Sequence, residues 1–173
     1  TAYEIKECDW SSDVCSSDLN SEFVLHLAMH YAASQQPDKM NQTIARLNDE
    51  KTFGSGHLAA GDFFYLRLRE FERAQQQYEA GLKAFPKEKA TYQKRLVELF
   101  AATNRVQEAN KILAQVLKDN ADDSEGIAMR AALRLTTGSR DEVNLAVNDL
   151  QSLVAKTPNN HLLHFNLARA LLA

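Results

Sequence analysis

The stretch Phe71-Glu72-Arg73-Ala74-Gln75-Gln76-Gln77-Tyr78-Glu79-Ala80-Gly81-Leu82-Lys83-Ala84-Phe85-Pro86 decides the fold. Phe71, Ala74, Tyr78, Gly81, Leu82 and Phe85 fall three and four apart, which is one face of an α-helix. The closing Phe85-Pro86 marks a turn, and a proline suits a helix start because that position needs no amide donor. The arrangement then returns. Ala109, Leu113, Val116, Leu117 and Ala121 stand 35 residues after Ala74, Tyr78, Gly81, Leu82 and Pro86. Ala146, Leu150, Leu153, Val154 and Pro158 follow after a further 37, and Met40, Ile44 and Leu47 occupy the same stations 34 residues before Ala74. Such recurrence is the mark of stacked supersecondary units. The extra residues of the last interval are expected in the turn around Ser139-Arg140-Asp141, where a surface loop lengthens cheaply.

Outward from that core, turn signals at Gln36-Pro37, Gly54-Ser55-Gly56, Thr103-Asn104, Asn120-Ala121-Asp122, Gly138-Ser139 and Thr157-Pro158 cut the chain into short helices. The spacing predicts nine of them, near 22–35, 38–51, 56–69, 71–85, 88–103, 106–119, 123–137, 141–156 and 160–172. No segment alternates as a strand must. The fold class is all-α. Composition agrees: 45% of the 173 residues are hydrophobic and 25% charged, with only 6 Gly and 3 Pro, which argues against all-β and collagen-like chains. Apolar runs are short and broken by charge, so no membrane-spanning helix is expected.

A small residue such as Ala74 or Ala109 lets the two helices of a hairpin approach closely. Tyr78, Leu113 and Leu150 then fill the groove to the next hairpin. One hairpin cannot bury its apolar stripe alone, so hairpins must stack. The last helix, with Leu162, Leu163, Phe165, Leu167, Leu171 and Leu172, reads as the first half of a further unit with an open apolar face.

Residues 1–19 do not share this pattern. They resemble the in-frame translation of an indexed sequencing adapter, in which GAC TGG AGT TCA GAC GTG TGC TCT TCC GAT CTn spells Asp9 to Leu19 and an upstream part spells Thr1 to Ile5. On that reading they are a non-native leader, and the array runs over 20–173, truncated at both ends. Cys8, Cys15 and Trp10 all fall in the leader, so neither a disulfide nor a metal thiolate is expected from them. The net charge of −3 also changes meaning. Residues 1–19 hold five acids and one base, leaving 19 bases and 18 acids in the rest. That near-neutral balance gives no basic surface for nucleic acid.

At these stations the chain resembles the tetratricopeptide repeat family, over residues 20–173. The clearest unit carries Leu58, Gly61, Tyr65, Phe71, Ala74, Tyr78, Gly81 and Pro86. The next has Leu96, Phe100, Ala109, Leu113 and Leu117 with Ala121 in place of proline, and the last has Ile127, Ala131, Ala146, Leu150 and Pro158. The first unit departs most, with Met40 at a small-residue station. The resemblance implies a right-handed superhelical solenoid of antiparallel helix hairpins, about four repeats and a half. It also implies a non-catalytic scaffold holding a peptide or helix of a partner protein on its concave face. Bacterial relatives carry such arrays beside other domains, so the alternative is an accessory segment of a larger envelope-assembly protein or enzyme. Cytoplasm and cell envelope both remain open.

Counted from Ser55, the concave stations are Ala59, Phe63, Leu66 and Arg67, then Lys94, Glu98 and Ala101, then Ala128, Ala132 and Leu135. Most of the aromatic cluster Phe63, Phe64, Tyr65, Phe71 and Tyr78 belongs in the core, with Phe63 and Arg67 expected on the inner surface. The functional reading of the basic cluster is a positive spot in the groove for an acidic peptide or a terminal carboxylate. Its bland competitor is a mixed-charge helix surface, with Arg67, Arg69, Lys87, Lys89, Lys94 and Arg95 set among Glu70, Glu72, Glu88 and Glu98. The family's carboxylate-clamp subgroup is disfavoured, since Glu98 and not Asn stands four residues after Lys94.

Catalytic chemistry finds little footing. His26 and His30 have the spacing of a zinc-binding helix, but Leu27 stands where the general-base glutamate belongs. His161 and His164 form another pair without a third ligand. No Ser sits in a G-x-S-x-G elbow. Gly54-Ser55-Gly56 lacks the Gly-Lys-Ser/Thr of a phosphate loop. No metal, cofactor or catalytic residue is expected.

Overall fold

A computed structural model describes residues 21–54 and 56–172. The readings of residues 1–19 and of Ser55 lie outside them. The described residues are helical without any strand, and the chain divides into two compact units between Phe85 and Pro86. In the first unit, α1 (Ser21–Ala33) pairs with α2 (Pro37–Ala45), followed by a 3-10 turn (Arg46–Asn48) and the short α3 (Glu50–Phe53). Helix α4 (Gly56–Asp62) runs into a π-helical segment, Phe63–Leu68, which packs with α4 against α5 (Phe71–Ala84). In the second unit a 3-10 turn (Pro86–Glu88) leads to α6 (Lys89–Ala102), paired with α7 (Val106–Asp119). Then α8 (Ser124–Thr137) pairs with α9 (Arg140–Lys156), which also carries α10 (His161–Leu171).

The repeat is written into the backbone. Each first helix ends on a left-handed residue: Gln35, Arg69, Asn104 and Gly138, with φ of 55°, 58°, 60° and 68°. These stand 34, 35 and 34 residues apart, and the second helix starts two residues after each. Only Gly138 takes that conformation without a Cβ penalty. Ala74, Ala109 and Ala146, at matching stations of α5, α7 and α9, are all fully buried, as are Tyr78, Leu113 and Leu150 one turn on.

Two expectations are corrected. The helix expected over 38–51 stops at Ala45, because the backbone at Asp49 is extended and its side chain takes the hydroxyl of Thr52 at 2.6 Å, a local competitor of the helix ladder. The extra residues of the last interval lengthen α9, not the turn before it. Helix α9 has 17 residues against 14 in α5 and α7, and Ala146 lies six residues past the helix start where Ala74 and Ala109 lie three past theirs. Three residues are close to one 3.6-residue turn, so Val143 and Ala146 stay on one face and the helix continues.

The π segment has a similar logic. Ala28 and Ala131, both fully buried, stand seven residues before Gln35 and Gly138, whereas Gly61 stands eight before Arg69. The wide turn absorbs that one surplus residue, leaving Gly61 against α5. A Cβ placed on Gly61 meets Cε1 of Tyr78 at 2.3 Å. The Tyr78 hydroxyl donates to Oδ1 of Asp62 at 2.6 Å. Small faces large, and a hydrogen bond fixes the orientation.

The open apolar face of the last helix is present. Leu163 and Ala170 are buried in the core shared with α9, while Leu162, Phe165, Leu171 and Leu172 are exposed.

Candidate functional site

In the first unit, a groove of about 750 Å³ runs between α1 and the α4–π element. Helix α1 supplies Glu22, Leu25, His26 and Met29, and the other wall is Ala59, Asp62, Phe63, Leu66 and Arg67. Both sets follow the three-and-four spacing of one helix face. The structure thus brings together all four residues expected from this repeat. It corrects the role of Phe63, which is 3% exposed and forms the floor beside the contact of α1 with α4. Its ring meets Phe64 edge-on at 5.7 Å. Leu66, 61% exposed, and Met29, 38% exposed, stand above it.

Arg67 is exposed and makes no ion pair among the described residues. Asp62 already holds the Tyr78 hydroxyl, and Glu22 lies 4.0 Å from Nε2 of His26. Sequence reasoning missed the α1 wall. The signal existed: one 34-residue step back from Ala59 and Phe63 lands on Leu25 and Met29.

In the second unit, Ala128, Ala132 and Leu135 line a narrower cleft of about 140 Å³ with Asn166 and Arg169 of α10. Glu98 accepts from Arg95 at 2.9 Å, and Ala101 is exposed on α6. Lys94 is not an open positive spot. Its Nζ lies 2.8 Å from Asp123 and 2.8 Å from Glu125, binding α6 to the first turn of α8, where Asp123 also caps the helix by accepting from the Gly126 amide at 2.7 Å. Burial opposes the charge on Lys94, but hydrogen bonds to Asp123 and Glu125 outweigh it and raise its pKa. Burial likewise opposes the Asp123 carboxylate, yet bonds from Lys94 and the Gly126 amide hold its pKa below the ordinary value.

The signs set a pH window. The Asp123 contribution is present above its unfolded pKa of about 3.9 and fades as pH falls through the lower folded value; that of Lys94 is full below about 10.4 and fades as pH rises through the higher one. Lys94→Met is therefore expected to lower the melting temperature at neutral pH, with a deficit that shrinks as pH drops below about 4. A deficit independent of pH in thermal scans contradicts the bridge.

His26 and His30 are both exposed on α1. Among the described residues no group of three or more His, Cys, Asp or Glu is placed to hold a metal ion, and no helix is long and apolar enough to cross a membrane. His164 instead meets the Pro158 carbonyl at 2.8 Å, and His57 meets Gln77 at 2.9 Å, tying α4 to α5.

Residues 65–133 match the family model described as tetratricopeptide repeat. Among solved structures, the second TPR domain of the human RPAP3 protein, determined by NMR in complex with an HSP70 peptide, is similar with a TM-score of 0.54 and 21% identity. That similarity covers 66% of this chain and 91% of the other. No curated protein matches the sequence. At this identity the structural likeness carries the fold and not the ligand. Left-handed turns at a 34–35-residue period, Gly61 facing Tyr78 across its hairpin and the family match together make residues 65–133 a tetratricopeptide-repeat segment within described residues that hold helices and no strand.

Proposed function

We propose that this protein is a non-catalytic binding module that holds a peptide or helix of another protein in the groove between α1 and the α4–π element. One observation carries the reading: Met29 and Leu66 stand exposed over the Phe63 floor, with Arg67, which has no ion pair among the described residues, at the rim. Exposed apolar side chains gathered in a concavity mark interaction sites. The similar domain of RPAP3 is a peptide binder in its own complex, which supports the same mode of use. Binding then rests on a preformed shape offered by packed hairpins, not on bond chemistry.

Peptides selected from a random display library against the unaltered protein test this. Leu66→Glu places a charge on the apolar rim, and it should weaken the selected peptides at least about tenfold. Leu66 is exposed, so helical circular dichroism should stay unchanged. Undiminished binding would reject the groove.

A further inference from the structure

Resting on that groove reading, we propose that the segment it takes is an apolar stretch internal to its own chain and neutral or basic in charge, not an acidic chain end. The fixed charges on the lining are Glu22 and Asp62 against Arg67, a net −1. An acidic segment entering there meets repulsion that strengthens as water leaves the cleft. A chain-end carboxylate is also poorly served, because it is best recognised by converging donors and Arg67 is the only Lys or Arg among the described residues of the lining. His26 offers little help, since its Nε2 faces the Glu22 carboxylate at 4.0 Å.

Among the corresponding stations of the second unit, Lys94 is the cation expected from the sequence. Lys94 is held by Asp123 and Glu125 there. What the first groove offers is apolar: Phe63 as floor, Leu66 as rim and the flexible thioether of Met29, a side chain that adapts to bulky partners. Such a surface suits two or more large apolar anchors spaced three or four residues apart.

Two random peptide libraries decide it, one displayed within a carrier loop and one with a free carboxyl end. The unaltered protein should enrich loop-displayed sequences with paired bulky apolar residues and no net negative charge. Glu22→Lys turns the lining from −1 to +1, and acidic sequences should then enter the pool. Enrichment of acidic free ends by the unaltered protein overturns the inference; if Leu66→Glu still abolishes their binding, the groove reading survives. A pool indifferent to Glu22→Lys also overturns the inference. A pool indifferent to Leu66→Glu, or no enrichment at all, overturns both.

Discussion

Tyr78→Ala is expected to destabilise the first unit by about 3–5 kcal/mol, the range for truncating a fully buried aromatic side chain. Tyr78 has no exposed surface, and its ring lies over Gly61, where backbone comes close enough that no side chain intervenes. Truncation leaves a cavity that two helices cannot close without losing their other contacts. It also strips Asp62 of the hydroxyl at 2.6 Å. Tyr78→Phe separates these effects by keeping the ring. It should lose less, about 1.5–3 kcal/mol, as for a hydrogen bond to a charged acceptor. Chemical denaturation, with amide exchange read on α4 and α5, measures both. Equal losses for the two variants would mean that the hydroxyl, not the ring, holds the hairpin together.

Gly56→Ala is expected to match or exceed the usual cost of overpacking, about 1–3 kcal/mol. A Cβ at Gly56 falls 1.9 Å from the Leu47 carbonyl oxygen and 2.8 Å from its carbon. These are backbone atoms, so no rotamer change relieves the clash. Helix α4 has to move away from the 3-10 turn at Arg46–Asn48, uncovering Leu47, which is fully buried. The helix propensity gained by replacing glycine, about 1 kcal/mol at most, does not offset this. A melting temperature unchanged by Gly56→Ala would show that α4 and the turn are not in contact.

Much of the architecture was legible because it depends on period. Ala74, Ala109 and Ala146 repeat in sequence, and each is fully buried ten residues before its helix ends. Other features were illegible for physical reasons. Phe63-Phe64-Tyr65-Leu66 is continuously apolar, so the sequence offers an α and a π turn equally good buried faces. The wider turn accommodates the eight residues from Gly61, held against Tyr78, to the left-handed Arg69. Gln35, Arg69 and Asn104 adopt left-handed conformations without being glycine, so the usual marker of that turn is missing. A three-residue insertion reads as a loop until one notes that it is nearly a helical turn.

The site was half legible. Ala59, Phe63, Leu66 and Arg67 were found from repeat position, yet the opposite wall came from α1, in the repeat whose small-residue station holds Met40. The partners of Lys94 were illegible because Asp123 and Glu125 lie about thirty residues away in sequence. Local patterning cannot show a partner brought in by the next hairpin.

Close approach of paired helices through a small residue facing a large one is tested most directly by the coupling between Gly61→Ala and Tyr78→Ala. With the ring gone, the added methyl enters vacated space. The double variant should therefore be destabilised by at least about 1 kcal/mol less than the two single losses combined. Strictly additive losses in denaturant unfolding would contradict that packing, and with it the repeat register built on it.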